Sequence, residues 1–522
     1  MKLALISPHT HPIALGIRYL SAVLKRDGHD VAVFFMCSRR SSTRPDWSTS
    51  AVEQLLEALR DRDLIGLSLM TNNFHRARFI TERIRSAGIR APIVWGGTHP
   101  TVAPEESLGI ADAICIGEGE NPLSELIRRL ESGRDPTGVP GLAFRAGGAF
   151  GNDRPICNPI PPLEQDLDRL PLPDWDIAAH WIATADGLVR PRPEHMRSAL
   201  DTYRMQTSRG CPFHCTFCNN TALQQLYKGT GRWTRMRSIE NILTEIRLAV
   251  RSFPSIRSIS FIDDLFLVRR EEELEEFARR YNAEFSLPLQ LDAFPNTVTE
   301  RKVAVLARLP IELVSMGIES ASQDTLDNIY LRPTPKKRIA EAIEAFARHG
   351  VRTEYHYIVN NPYEPERNVV ETMRFIADHH RGPSVLRVFP LMFYPGTPLF
   401  QRARADGLLG ERDQDAYDHM GTGTLQTARY DYLAIWLHLV LHARNIGLPR
   451  WFAHRMIDFC TARPVRFCLD RRWFRPAFFV SYQLGRKIWR NLIHQPLIKP
   501  LRYLRSRRTR REPAARAIPA GC

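Results

Sequence analysis

No apolar run in this chain reaches the 18 or so residues a membrane span needs, although 43% of its 522 residues are hydrophobic. Its opening, Met1-Lys2-Leu3-Ala4-Leu5-Ile6-Ser7-Pro8, reads as one short strand and lacks the charged-then-apolar order of a leader. Nine cysteines are few for this length, and Cys37, Cys115, Cys157, Cys460, Cys468 and Cys522 follow no pairing pattern. That argues against a disulfide-stapled scaffold and makes the reduced cytosol the expected setting. Acidic residues are missing between Arg471 and Arg511, where 13 Lys or Arg stand; of the net charge of +15, only +2 is left for everything else. No G-x-G-x-x-G follows the first strand, which disfavours a dinucleotide.

What is present is a soluble, globular composition, 25% charged, long enough for two or three domains. The fold class is α/β. Short apolar strands at residues 2–6, 31–35, 64–69, 93–95 and 113–116 alternate with helical spacing, as in Leu15, Leu20, Val23 and Leu24. This predicts a doubly wound parallel sheet over 1–135, with ligands beyond the carboxyl ends of its strands. Those ends carry Ser7, Ser68, Gly96-Gly97-Thr98-His99 and Gly117-Glu118-Gly119-Glu120, small residues that let a flat ligand approach backbone. His9, His11 and His99 stand nearby. Residues 136–195 are rich in Pro and Asp and read as a linker, with a strand at 142–144 at most. From 196 to 405, six β/α repeats predict a partial TIM-type barrel with its chemistry at the strand ends.

The first barrel strand, around 203–207, runs into Arg209-Gly210-Cys211-Pro212-Phe213-His214-Cys215-Thr216-Phe217-Cys218. Three thiols at i, i+4 and i+7 suit one soft metal centre. A closed structural site takes four ligands, so three imply a cluster with one open iron, or zinc completed by His214. This spacing, with an aromatic before the last cysteine, resembles the signature of the radical S-adenosylmethionine superfamily. The resemblance implies a 4Fe–4S cluster on Cys211, Cys215 and Cys218, an open iron chelated by S-adenosylmethionine, and Phe217 against the adenine.

Further strand ends resemble the same family. Asp263 (in Asp263-Asp264), Glu319 (in Gly317-Ile318-Glu319-Ser320) and Arg332 are the expected S-adenosylmethionine contacts. Asn360-Asn361-Pro362-Tyr363-Glu364 departs from the Gly-rich turn expected there, while Tyr394-Pro395-Gly396-Thr397-Pro398-Leu399 matches the closing loop. The turns 95–100 and 117–120 resemble the cobalamin domain that precedes many such cores. This implies cobalamin on Ser7, Ser68, Gly96, Gly97, Gly117, Glu118, Gly119 and Glu120. With no Asp-x-His-x-x-Gly in the chain, cobalt would lack a protein ligand below.

What the resemblance implies is a methyltransferase acting on an unactivated carbon of a small molecule, fed by an external one-electron reductant; a radical cyclase is the alternative. A methylthiotransferase would need a second cysteine trio, which Cys37 and Cys115 cannot supply. Residues 406–522 read as a helical, basic extension in which Trp473, Phe474, Phe478, Phe479, Tyr482 and Trp489 interleave with Arg and Lys. Such a segment suits a packed cap, an anionic membrane surface or, less well, nucleic acid. A hydrophobic or lipid-like substrate would match membrane contact.

Overall fold

The computed structural model describes residues 1–9, 11–37, 45–192, 200–380, 385–409, 417 and 432–470. The first unit runs β1 (Lys2–Ser7), α1 (Leu15–Arg26), β2 (Asp30–Phe35), α2 (Thr49–Leu59), β3 (Leu64–Ser68), α3 (Phe74–Ser86), β4 (Ile93–Gly96), α4 (Thr98–Val102), α5 (Pro104–Leu108), β5 (Ala113–Cys115) and α6 (Glu120–Glu131). Strands β5-β4-β3-β1-β2 pair in parallel. Helices bury both faces of the sheet, so β1 is buried from Leu3 to Ser7 rather than alternating. The order of connection reverses at β1, between β3 and β2, which leaves a crevice above their carboxyl ends.

The connecting segment does more than link. It adds β6 (Leu142–Phe144) and β7 (Ile156–Cys157) antiparallel to one edge of this sheet, and β8 (His180–Thr184) and β9 (Gly187–Val189) to the other, making nine strands. The segment from Leu142 to Val189 is therefore tied into the first unit's sheet and is not a free linker. Strands this short carry too little periodicity to stand out among prolines.

The second unit runs β10 (Thr202–Met205), β11 (Ser208–Arg209), α7 (Asn219–Leu226), β12 (Arg235–Met236), α8 (Ile239–Ser252), β13 (Ser258–Phe261), α9 (Glu271–Glu284), β14 (Leu289–Ala293), α10 (Glu300–Leu306), β15 (Ile311–Glu319), α11 (Lys336–Arg348), β16 (Thr353–Val359), α12 (Glu366–His379), β17 (Val385–Pro390) and α13 (Pro398–Ala405). Six strands, β10-β13-β14-β15-β16-β17, form an all-parallel sheet, a half-barrel. Alternate residues such as Val314, Met316 and Ile318 are buried against the helices, while Ser315, Gly317 and Glu319 face the lumen. Helix α8 starts at Ser238, whose side chain accepts from Asn241 N–H, and buries Ile242, Leu243 and Ile246 completely. Truncating any one of these to Ala costs about 2–5 kcal/mol.

Helices α14 (Tyr432–Asn445), α15 (Arg450–Thr461) and α16 (Arg463–Leu469) close the described chain. Arg374 and Asp378 on α12 pair with Asp458 at 2.9 Å and His454 at 2.8 Å on α15. Among the described residues no helix is long and apolar enough to cross a membrane. The basic segment 471–511, with its aromatics, lies outside the described residues.

Candidate active site between the two sheets

The carboxyl ends of both sheets open on one cavity of about 920 Å³, large for a ligand pocket. Ser68, Gly96, Gly97, Gly117, Glu118, Gly119 and Glu120 line it from the first unit; Arg209, Gly210, Cys218, Asn220, Tyr227 and Asp264 line it from the second. Leu5, Ile17, Leu67, Val94 and Leu123 supply apolar wall. His9 and His11 also line the cavity. Ser7 does not. It is fully buried inside the sheet, its hydroxyl without a partner. His99 also lies elsewhere, buried between Phe74 and Tyr417 with ring centroids at 4.8 and 5.6 Å.

The glycines have a reason within the chain itself. A Cβ on Gly97 (φ +99°) would stand 2.6 Å from Leu69 O, and one on Gly117 (φ +87°) 1.9 Å from the Tyr227 hydroxyl. Tyr227 accepts the Glu118 N–H at 2.6 Å, so the end of α7 rests on the turn after β5. Glu118 and Glu120 are tied down as well. Arg209 reaches Glu120 at 2.6 Å and Glu118 at 3.2 Å, and Arg235 pairs with Glu118 through both nitrogens. Burial alone would raise the Glu118 carboxyl, but Arg209 and Arg235 more than reverse this and hold it low. The two glutamates therefore bind the first unit to the cysteine loop, a role that spacing in the sequence does not disclose.

The cysteine loop is fixed on every side. Gly210 (φ +86°) lies where a Cβ would be 2.3 Å from Trp233 O, and Trp233 Nε1 donates to Cys211 O at 2.9 Å. Asp264 accepts from Gly210 N–H at 3.0 Å and from the Asn220 amide at 2.7 Å. Thr216 donates from N–H to Tyr330 O at 2.9 Å and from its hydroxyl to Ile329 O at 2.7 Å, bolting the loop to the π-helical turn Thr325–Ile329. Burial pushes the Cys211 thiol up to about 11 and the Cys218 thiol to about 12, and neighbouring thiols add to both shifts. Arg332 Nη1 lies 3.3 Å from Cys215 Sγ.

Among the described residues no three His, Cys, Asp or Glu side chains converge as a metal-holding group. Yet the donor set fits a cationic cluster. Cys211 and Cys218, buried on one anchored loop with Cys215 between them, disfavour the thiolate form until a cation compensates it. His214, between Cys211 and Cys215, is exposed.

The remaining expected contacts divide. Phe217 meets Tyr330 edge-on at 5.0 Å. Arg332 stacks on Phe294 at 3.9 Å and donates to Gly317 O at 2.5 Å, while Phe294 stacks on Phe213 at 3.8 Å. Glu319 takes φ 68°, a strained backbone for this residue, and burial raises its carboxyl against the pull of Arg332 and His356. Asp263 is misassigned by its position in sequence. Its carboxylate is saturated by Thr207 N–H, the Thr207 hydroxyl and Ser208 N–H, and it stays off the cavity wall, where Asp264 stands instead. Asn360 adopts φ 57°, so the departure from glycine is met by an asparagine that tolerates this backbone. Tyr394 of the closing loop lines the cavity, and Gly396 packs against Val102.

A parallel sheet with an open crevice, joined through one cavity to a half-barrel bearing a Cys-x3-Cys-x2-Cys loop, defines the class. Residues 1–127 match the B12 binding domain and residues 205–376 the radical SAM superfamily. The chain thus carries a B12-binding domain followed by a radical SAM superfamily domain. It is 26% identical over 422 residues to an uncharacterised methyltransferase of Pyrococcus horikoshii, covering 78% of this chain and 84% of that one. It is 24% identical over 393 residues to the anaerobic magnesium-protoporphyrin IX monomethyl ester cyclase of Rubrivivax gelatinosus, covering 74% of this chain and 65% of the relative. In fold it resembles the radical S-adenosylmethionine methyltransferase TsrM of Kitasatospora setae, solved with cobalamin and a [4Fe-4S] cluster (TM-score 0.62, 17% identity, 78% of each chain). It also resembles the cobalamin-dependent enzyme OxsB (TM-score 0.64, 15% identity, 93% of this chain and 75% of that one).

Proposed function

We propose that this protein is a cobalamin-dependent radical S-adenosylmethionine methyltransferase that methylates an unactivated carbon of a small molecule. The observation that carries the reading is the single cavity shared by the B12-domain turns and the cysteine loop. Cys211, Cys215 and Cys218 would hold a 4Fe–4S cluster, with Phe217, Glu319 and Arg332 around S-adenosylmethionine. The turns at Ser68, Gly96-Gly97 and 117–120 would take cobalamin, with no histidine beneath the cobalt. When bound, these groups supply a 5′-deoxyadenosyl radical and a transferable methyl group, chemistry that protein side chains lack. The chain's own part is to fix the two centres relative to each other through Arg209, Arg235 and Tyr227, and to keep water out with apolar walls. An external one-electron donor completes the system. The match takes in 84% of the methyltransferase relative but only 65% of the cyclase, which favours methyl transfer over cyclisation.

The test is full-length protein reconstituted anaerobically with iron, sulfide and cobalamin, then given S-adenosylmethionine labelled in the methyl group and candidate substrates. Expected are four irons and one cobalt per chain, 5′-deoxyadenosine, and label in the product. An oxidised, unlabelled product means the cyclase reading. A Cys215→Ala protein that still cleaves S-adenosylmethionine overturns the cluster assignment.

We also infer peripheral contact with an anionic membrane. Trp451 is 66% and Phe459 53% exposed on α15, close in sequence to the basic segment that begins at Arg471. Co-sedimentation with phosphatidylglycerol vesicles but not phosphatidylcholine vesicles is expected, and equal partitioning refutes the inference.

A further inference from the structure

The lumen face of the half-barrel is charged where packing asks for nothing of the kind. Asp292 on β14 lies level with Ser315 on β15, which lies level with Glu354 on β16; Gly317, His356 and Arg387 form the next row. Glu354 is spoken for. It accepts from His356 Nε2 and from Arg387 Nε, both at 2.8 Å. Ser315 stands across the strand pair from Asp292, and no Lys or Arg pairs with Asp292 among the described residues.

The charges around Asp292 point the same way. Asp263 stands after β13, Glu354 on β16 adds a second negative neighbour, and only His356 opposes them. Glu319 on β15 also faces the lumen, with Arg332 and His356 as its nearest basic side chains. Water reaches Asp292 within the lumen, but protein surrounds it, and this burial raises its carboxyl to about 6. A carboxylate held in this way is short of a cation. Arg204 on β10 lines the cofactor cavity, and through Ser260 and Gln290 its row lies on the same face of the sheet as Asp292.

We propose that Asp292 and Ser315, with His356 held behind them by Glu354, form a subsite in the barrel lumen for a protonated amine of the substrate. The proposal rests on the radical-enzyme reading for the lumen being the substrate chamber. It specifies a substrate with a cationic nitrogen at one end, its apolar body directed toward the cavity wall.

Full-length reconstituted protein is titrated with benzylamine, benzyl alcohol and benzoate, three probes of one skeleton, with binding read by isothermal calorimetry. Benzylamine is expected to bind at least about tenfold more tightly than benzoate, as one charge-assisted contact provides. Asp292→Asn should abolish the preference, Asp292→Glu should keep its direction, and Glu272→Gln, exposed on α9, should leave it unchanged. Thermal midpoints of the variants establish that each is folded. Equal binding of the three probes, or a preference that survives Asp292→Asn, overturns the subsite. S-adenosylmethionine cleavage is measured on the same preparations. Its absence alongside an intact amine preference sinks the radical reading and leaves the subsite standing.

Discussion

Replacing Arg209 by Met should uncouple the two halves of the molecule. Arg209 is 15% exposed, and its partners Glu120 and Glu118 are 11% and 26% exposed. Removing one member of a buried ion group costs about 3–5 kcal/mol, because the charge left behind keeps its desolvation penalty. Arg235 still neutralises Glu118, so the stranded charge is Glu120 and the loss should fall near about 3 kcal/mol. The acid limb adds a second signature. The Glu118 carboxyl is lower in the folded chain than its ordinary 4.5, so its stabilisation is complete above that pH and lost as pH falls below it. Without Arg209 this dependence flattens. The assay is anaerobic urea unfolding of the wild type, Arg209→Met, and Arg209→Met/Glu120→Met from pH 3.5 to 7 (about one-unit steps suffice for the slope). The double variant should recover much of the loss. A loss below about 1 kcal/mol, the value of a solvent-screened surface pair, or a double variant no better than the single, refutes the reasoning.

Other consequences are open to similar tests. Gly117→Ala should lower the melting midpoint and weaken cobalamin retention, since its methyl would overlap the Tyr227 hydroxyl. Tyr227→Phe in the same chain should restore part of both, and no rescue would argue against the overlap as cause. Asp263→Asn should destabilise by about 1–3 kcal/mol, the cost of leaving buried donors unpaired, and lower the iron content; unchanged stability speaks against the saturated carboxylate. Burial holds His9, His99 and His380 at about 4, well below the usual 6.5, so stability should fall as pH drops from 6.5 toward 4. Substituting His99 by Gln should reduce that slope, and an unchanged slope would count against it.

The cysteine triplet and the six strand–helix repeats are legible because each is set by local pattern: ligand spacing in one case, alternation in the other. Ser68 and the glycine turns are legible for a related reason, since topology places strand ends together. What escapes is decided by partners far away in the chain. Asp263 and Asp264 are adjacent and chemically identical; only the backbone at 207–208 settles which of them is occupied. Glu118 and Glu120 read in the sequence as ligand contacts alone, and only the fold adds their pairing with Arg209 and Arg235 from about 90 to 120 residues away. Ser7 sits at a strand end like Ser68, but it is fully buried and stays off the cavity wall. The four strands within 136–195 are recruited by an existing sheet edge, and a sequence of two to five residues holds no record of that.

Helix α7 begins directly after Cys218 and ends at Tyr227, whose hydroxyl touches the turn after β5. Its eight residues span about 12 Å at 1.5 Å per residue. The helix therefore acts as a gauge block between the last cysteine and the opposing domain. One inserted or deleted residue would swing Tyr227 through about 100° and lose the contact altogether. A fixed gauge lets evolution change the substrate without retuning the distance between the two centres. Variation should then gather on the lumen faces of β14 to β17, while the length of α7 stays constant.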